Sequence, residues 1–141
     1  MDTIKADTRQ SGEGVVGHLL RAPHRVAFFL GLVVLLAASA WWLAVQWGRQ
    51  YWGWPVPVAV SPTLTHASLM SMGGFTLFFG GFLFTAGPKW LAVPAPQARD
   101  LLRPLALQSM GWLGWLAGGL LSTQLALAGL ALATIGMTEL Y

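Results

Sequence analysis

The sequence predicts an all-α fold, an integral membrane bundle of four transmembrane helices, and three observations carry that reading. The chain has 141 residues, is 55% hydrophobic and only 9% charged, and has a mean hydropathy of +0.60, whereas soluble domains carry about 25% charged residues. Long apolar runs recur at lengths that match a bilayer, whose hydrocarbon core of about 30 Å needs roughly 20 helical residues at about 1.5 Å each. Past the first run, Trp47, Tyr51, Trp52 and Trp54 cluster together, as amphipathic rings do at a membrane–water interface.

The elements follow in order. Residues 1–25 are polar and mixed in charge, and Gly12, Gly14 and Gly17 interrupt any helical pattern, so this stretch reads as a mobile tail or a surface segment. The apolar run that follows starts too late, and continues too long, for a cleaved secretory signal. It is a retained span over residues 26–47, without a single charge. "WPVPVAVSP" comes next, and its prolines at 55, 57 and 62 remove backbone donors and restrict the residues before them, which predicts an extended connector.

Ser61-Pro62 supplies an N-cap and a first-turn proline for a second span over residues 62–86, with Gly87-Pro88 as its stop. Residues 89–104 hold Lys89, Arg99, Asp100 and Arg103 among three prolines and predict an aqueous loop. A third span over residues 105–121 and a fourth over residues 124–140 are joined near Ser122-Thr123, a turn so short that the pair must be an antiparallel hairpin. The chain is thus a tail of residues 1–25 followed by one four-helix membrane domain, residues 26–141.

Charge sets the expected orientation. Seven of the eight basic residues precede the first span or lie between the second and third, and only Arg49 lies in the first connector. The positive-inside rule then places the N-terminus and the middle loop in the cytoplasm, with Glu139 closing the fourth span near the far face. The net charge of +3 and pI near 10 come from these flanking residues, which form no separate patch, so no nucleic-acid partner is expected. The partners expected are the lipid bilayer and either a second copy or a larger membrane complex. Small residues supply the means of packing: Gly111, Gly114 and Gly118 share one face of the third span, and Ala126, Gly129, Ala133 and Gly136 one face of the fourth. Gly73-Gly74 and Gly80-Gly81 do the same for the second.

Zero cysteines exclude disulfides, iron–sulfur clusters and thiolate metal sites, leaving His, Met, carboxylate or backbone ligands. His66 lies about one turn inside the second span, with Met70 one turn further along the same face and Gly73 beyond it, bare enough to admit a flat macrocycle or a neighbouring helix. The helix dipole and partial desolvation favour an uncharged ring there. An imidazole near the interface can equally hydrogen-bond water, Thr63 or a headgroup. His24 is a further ligand candidate or an interfacial anchor beside Arg25, and His18 reads as solvated. Trp112 and Trp115, three apart and deep in the third span, could line a ring-shaped ligand or simply pack. Paired carboxylates, nucleophile–base arrangements and phosphate-binding glycine loops are missing from the sequence, so no reaction is indicated.

"APHRVAFFLG", then "LTHASLMSMGGFTLFFGGFLFTAGPKW", resembles the start of the NnrS family of bacterial membrane proteins, in which H-x-H-E-M-x-F-G is followed by G-F-L-L-T-A-V-P-N-W. His66 and Met70 match the first histidine and the methionine, Gly81 to Ala86 match the second element, and Pro88 and Trp90 match its end. Ser68 and Leu69 stand where the family has its second histidine and its glutamate. The resemblance covers the N-terminal third of such proteins, so the chain reads as a fragment or as a short relative. It implies an inner-membrane protein with haem and/or copper as cofactors, linked to nitric oxide metabolism and nitrosative stress, with His66, Met70 and His24 as cofactor-binding residues and His66 and Met70 as metal ligands. The alternative is a cofactor-free scaffold or assembly subunit that docks onto a larger membrane complex. A channel or transporter fits less well, since no span interior carries a charge to mark a pathway.

Overall fold

The computed structural model describes residues 14–53 and 56–141; expectations for residues 1–13, Trp54 and Pro55 fall outside them. A short helix α1 (Val15–Leu19) precedes α2 (Pro23–Trp47), which opens on a proline and runs on through a π-helical turn (Gly48–Trp52) to Gly53 in the left-handed region at φ 61°. Helix therefore begins inside the stretch read as a mobile tail or a surface segment. Arg25 ties the two pieces, its guanidinium donating to the His18 carbonyl at 3.1 Å.

The second long element is α3 (Pro62–Ser68), a π-helical turn (Leu69–Gly74) and α4 (Phe75–Leu91) in unbroken succession. Gly87-Pro88 does not stop it at residue 86. Proline removes the N–H that would reach the Phe84 carbonyl, a loss that membrane helices accommodate, and the helix closes one turn later where Ala92 turns left-handed at φ 52°. The Pro88 carbonyl then accepts from both Ala92 and Val93. Helices α5 (Leu102–Leu121) and α6 (Thr123–Leu140) form the expected antiparallel hairpin. Ser122 caps α6, its hydroxyl accepting from the Leu125 N–H.

Alternate residues at spacings of three and four face inward on α2: Val26, Ala27, Gly31, Val34, Ala38, Trp41 and Val45 are buried. Phe29, Leu32, Leu36, Leu43, Phe75, Phe79 and Phe82 point outward. Such outward apolar faces suit lipid rather than water. Three elements, Pro23–Tyr51, Pro62–Leu91 and Thr123–Leu140, are long and apolar enough to cross a membrane. The expected third span, α5, is long enough at 20 residues but less apolar. Its position explains the difference: α5 packs against α2, α3 and α6, so its Gln108 and Ser109 are buried by protein and a larger share of its residues is buried than in α2 or α6.

The long helices alternate in direction. At one end the extended connector lies over the hairpin turn, the Ala59 and Val60 N–H groups both donating to the Gly119 carbonyl at 2.8 and 3.2 Å. At the other end Arg103 pairs with Glu139 at 3.0 Å. Glu139 was expected at the face opposite the basic loop and instead shares the end of that loop, because the fourth helix returns the chain to where α5 begins.

Candidate functional site

The side chains with chemistry to offer lie around α3 and the π turn after it. His66 is half-buried and lies flat on Trp42 of α2, ring centroids 4.7 Å apart and planes 14° from parallel. Its Nδ1 is enclosed without a hydrogen-bond partner, which leaves Nε2 on the accessible side of the ring. An enclosed imidazole nitrogen without a partner forfeits a hydrogen bond it could make in water. Stacking compensates in part, since ring pairs contribute about 0.5–1.5 kcal/mol beyond their buried area.

The face expected to carry His66, Met70 and Gly73 together loses Gly73. A π turn bonds each N–H to the carbonyl five residues back rather than four, so side chains beyond it rotate away from the 3.6-residue spacing. Met70 is 38% exposed on the outer surface. Gly73 is buried instead, and a Cβ there would stand 3.1 Å from Val34 and 3.3 Å from the Trp112 ring. The room beside Gly73 is thus filled by α2 and α5, and no macrocycle can lie there. π turns inside α-helices occur frequently at functional sites.

Hydroxyl groups line this distorted stretch. Ser68 donates to the carbonyls of Leu64 and Thr65 at 2.8 and 3.0 Å, and Ser71 to that of Ala67 at 2.7 Å. Thr76 donates to the Met72 carbonyl. Serine and threonine bonds of this kind bend helices and supply donors where the regular ladder is disturbed. Two of these hydroxyls also bind α5: Ser68 accepts from the Trp115 indole at 2.8 Å, and Thr76 accepts from Gln108 Nε2 at 2.6 Å. Ser68, at the place of the family's second histidine, is therefore a link between helices.

Trp112 and Trp115 pack rather than line an open ring-shaped site; both are buried, Trp112 against Gly73 and Val34, and Trp115 toward Ser68. The indole nitrogens of Trp41 and Trp112 and the Gln108 Oε1 are buried without partners. His24 lies at the opposite end of the bundle from His66, its Nδ1 3.3 Å from the Thr85 hydroxyl of α4. It is accordingly separate from any site at His66. Among the described residues no group of three or more His, Cys, Asp or Glu side chains comes together.

Trp42 was not singled out from sequence, although it decides how His66 is held. Adjacent positions on a helix point about 100° apart, so of the Trp41-Trp42 pair one ring enters the core and the other faces α3. Nothing in the sequence fixes which partner the second one meets.

No curated protein and no solved structure matches the chain. The family model described as NnrS protein matches residues 18–140, which takes in all four long helices and extends well beyond the motifs that end at Trp90. The chain belongs to the NnrS family.

Proposed function

We propose that this chain is an NnrS-like inner-membrane protein that holds haem or copper through His66 in nitric oxide metabolism or nitrosative stress. The observation that carries the reading is the His66 imidazole, oriented by the Trp42 ring, its Nδ1 unpartnered and its other nitrogen free for a ligand, within a chain of this family. One imidazole, with the outward thioether of Met70 nearby in sequence, would serve as a single ligand to a haem iron or to Cu(I). The remaining donors would come from a second copy or a larger membrane complex. Bound iron or copper would supply a coordination position for a small diatomic molecule.

The chain's own contribution is positional. Trp42 restricts rotation of the imidazole, and the Ser68–Trp115 bond fixes the π turn against α5, so that the ligand nitrogen is set before any metal arrives. Replacing His66 with alanine should abolish bound haem or copper while helicity and detergent melting change little, as read by visible absorption and metal analysis of protein expressed with both supplements. A wild-type protein that carries neither group, or cofactor content unchanged in His66→Ala, would favour the second reading: a cofactor-free assembly subunit. The outward apolar faces of α2 and α4 favour that one.

The proposal includes four spans, with the N-terminus, the basic loop of residues 89–104 and the C-terminus all on the cytoplasmic side. The Arg103–Glu139 pair supports it, because it brings the start of α5 and the end of α6 to one side. A reporter fused after Arg103 should be active only in its cytoplasmic form, as should one fused after Tyr141. Periplasmic activity after Arg103 would overturn the orientation.

A further inference from the structure

A groove of about 280 Å³ opens between the start of α2 and the end of α4, lined by His24 and Phe28 from α2 and by Phe82, Thr85, Ala86, Lys89 and Trp90 from α4. We propose that this groove binds an anionic phospholipid, with an acyl chain along its aromatic wall and the phosphate at Lys89. Three observations meet here. The wall is apolar and shaped by rings: Phe82 and Trp90 meet edge to face with centroids 5.6 Å apart, and His24 and Phe28 stand 5.8 Å apart on the other side. The polar side chains of the lining are few, His24, Thr85 and Lys89, and His24 Nδ1 meets the Thr85 hydroxyl at 3.3 Å, which joins the two helices.

Charge gives the third. Lys89 is exposed at the end of α4, and among the described residues no acidic side chain pairs with it. Among the described residues the end of the bundle where it lies also carries Arg21, Arg25, Arg99 and Arg103 against Asp100 and Glu139, and Glu139 is engaged by Arg103. A lysine stem can lie along the apolar wall while its ammonium stays at headgroup level, and Trp90 beside it occupies the depth that indoles prefer. A zwitterionic lipid brings its phosphate with a cation of its own beside it, whereas an anionic headgroup supplies an uncompensated negative charge to Lys89 in a setting of reduced dielectric. The occupant is thus a membrane lipid, since only an acyl chain would fill the apolar part of the groove.

The test is native mass spectrometry of the full chain released from nanodiscs of phosphatidylcholine and phosphatidylglycerol in equal amounts. Wild type should retain phosphatidylglycerol over phosphatidylcholine by about fivefold, the ratio expected for one basic group at an anionic surface. Lys89→Gln should bring the ratio to about one, and Ala86→Phe should do the same by filling the groove with every charge left in place. Arg99→Gln removes an equal charge from the same side without touching the groove and should retain the preference. No preference in wild type, a loss in Arg99→Gln as large as in Lys89→Gln, or an unchanged ratio in Ala86→Phe with wild-type helicity would each overturn the site; the second of these would mean surface charge alone.

Discussion

Gly118→Ala and Gly111→Ala should each lower the detergent melting temperature sharply, by about 10 °C for a loss near 3 kcal/mol, while Gly114→Ala should cost far less. The difference follows from how α5 and α6 meet. A Cβ added at Gly118 would fall 2.1 Å from the backbone nitrogen of Ala126, and one at Gly111 would fall 2.2 Å from that of Ala133. From the other side, a Cβ at Gly129 would meet the Trp115 nitrogen at 2.4 Å, and one at Gly136 the Gln108 nitrogen at 2.4 Å. The paired positions run in opposite directions at intervals of seven, so glycines of each helix receive the backbone of the other along the whole contact.

A side chain can turn aside, but a backbone cannot. The helices would have to separate, and every contact along the seam, each contributing about 0.1–0.2 kcal/mol, would weaken together. Lipid does not drive helices together as water does, so close packing carries more of the association. At Gly114 a Cβ would stand 3.2 Å from the Gly129 Cα, a contact that a slight shift relieves. Melting curves of the three alanine variants in one detergent provide the check. Equal curves for Gly111→Ala and Gly114→Ala would show that the seam is not the one described.

How much of this was legible in the sequence depends on period. The hairpin of α5 and α6 was readable because its small residues recur at helical spacing and its turn is too short for any other geometry. The ends of the elements were less so: proline at 88 is a stop by local rule, yet the helix passes it and closes only where Ala92 turns left-handed. Glycines 111, 114 and 118 look equivalent in a list, and only the offset of α6 decides that the outer two receive backbone. The candidate site was legible at His66 as a residue and not as a geometry. The π turn of residues 69–74 has no period of its own to announce it, and it shifts Gly73 off the face that carries His66. The stacking of His66 on Trp42 joins positions 24 residues apart on different helices, a pairing that one sequence does not encode in any spacing.

Trp112→Ala should be about as damaging as the seam variants, at about 3–5 kcal/mol, whereas Trp112→Phe should retain most of the stability. Trp112 is 5% exposed and fills the junction where Val34 of α2 and Gly73 of the π turn come together against α5. Alanine would leave a hole among three elements that cannot all move inward, because α5 is already held on its other face by the backbone contacts with α6. Phenylalanine keeps one ring in the gap. It also removes an indole N–H that is buried without a partner, so part of the lost packing is offset by a donor that no longer needs one. The pair of variants also separates packing from ligand binding at this position. If Trp112 only fills space, cofactor content at His66 should follow stability in both variants and remain near wild type in Trp112→Phe. A Trp112→Phe protein that melts like wild type but loses its haem or copper would place this ring in the cofactor site, against the packing described.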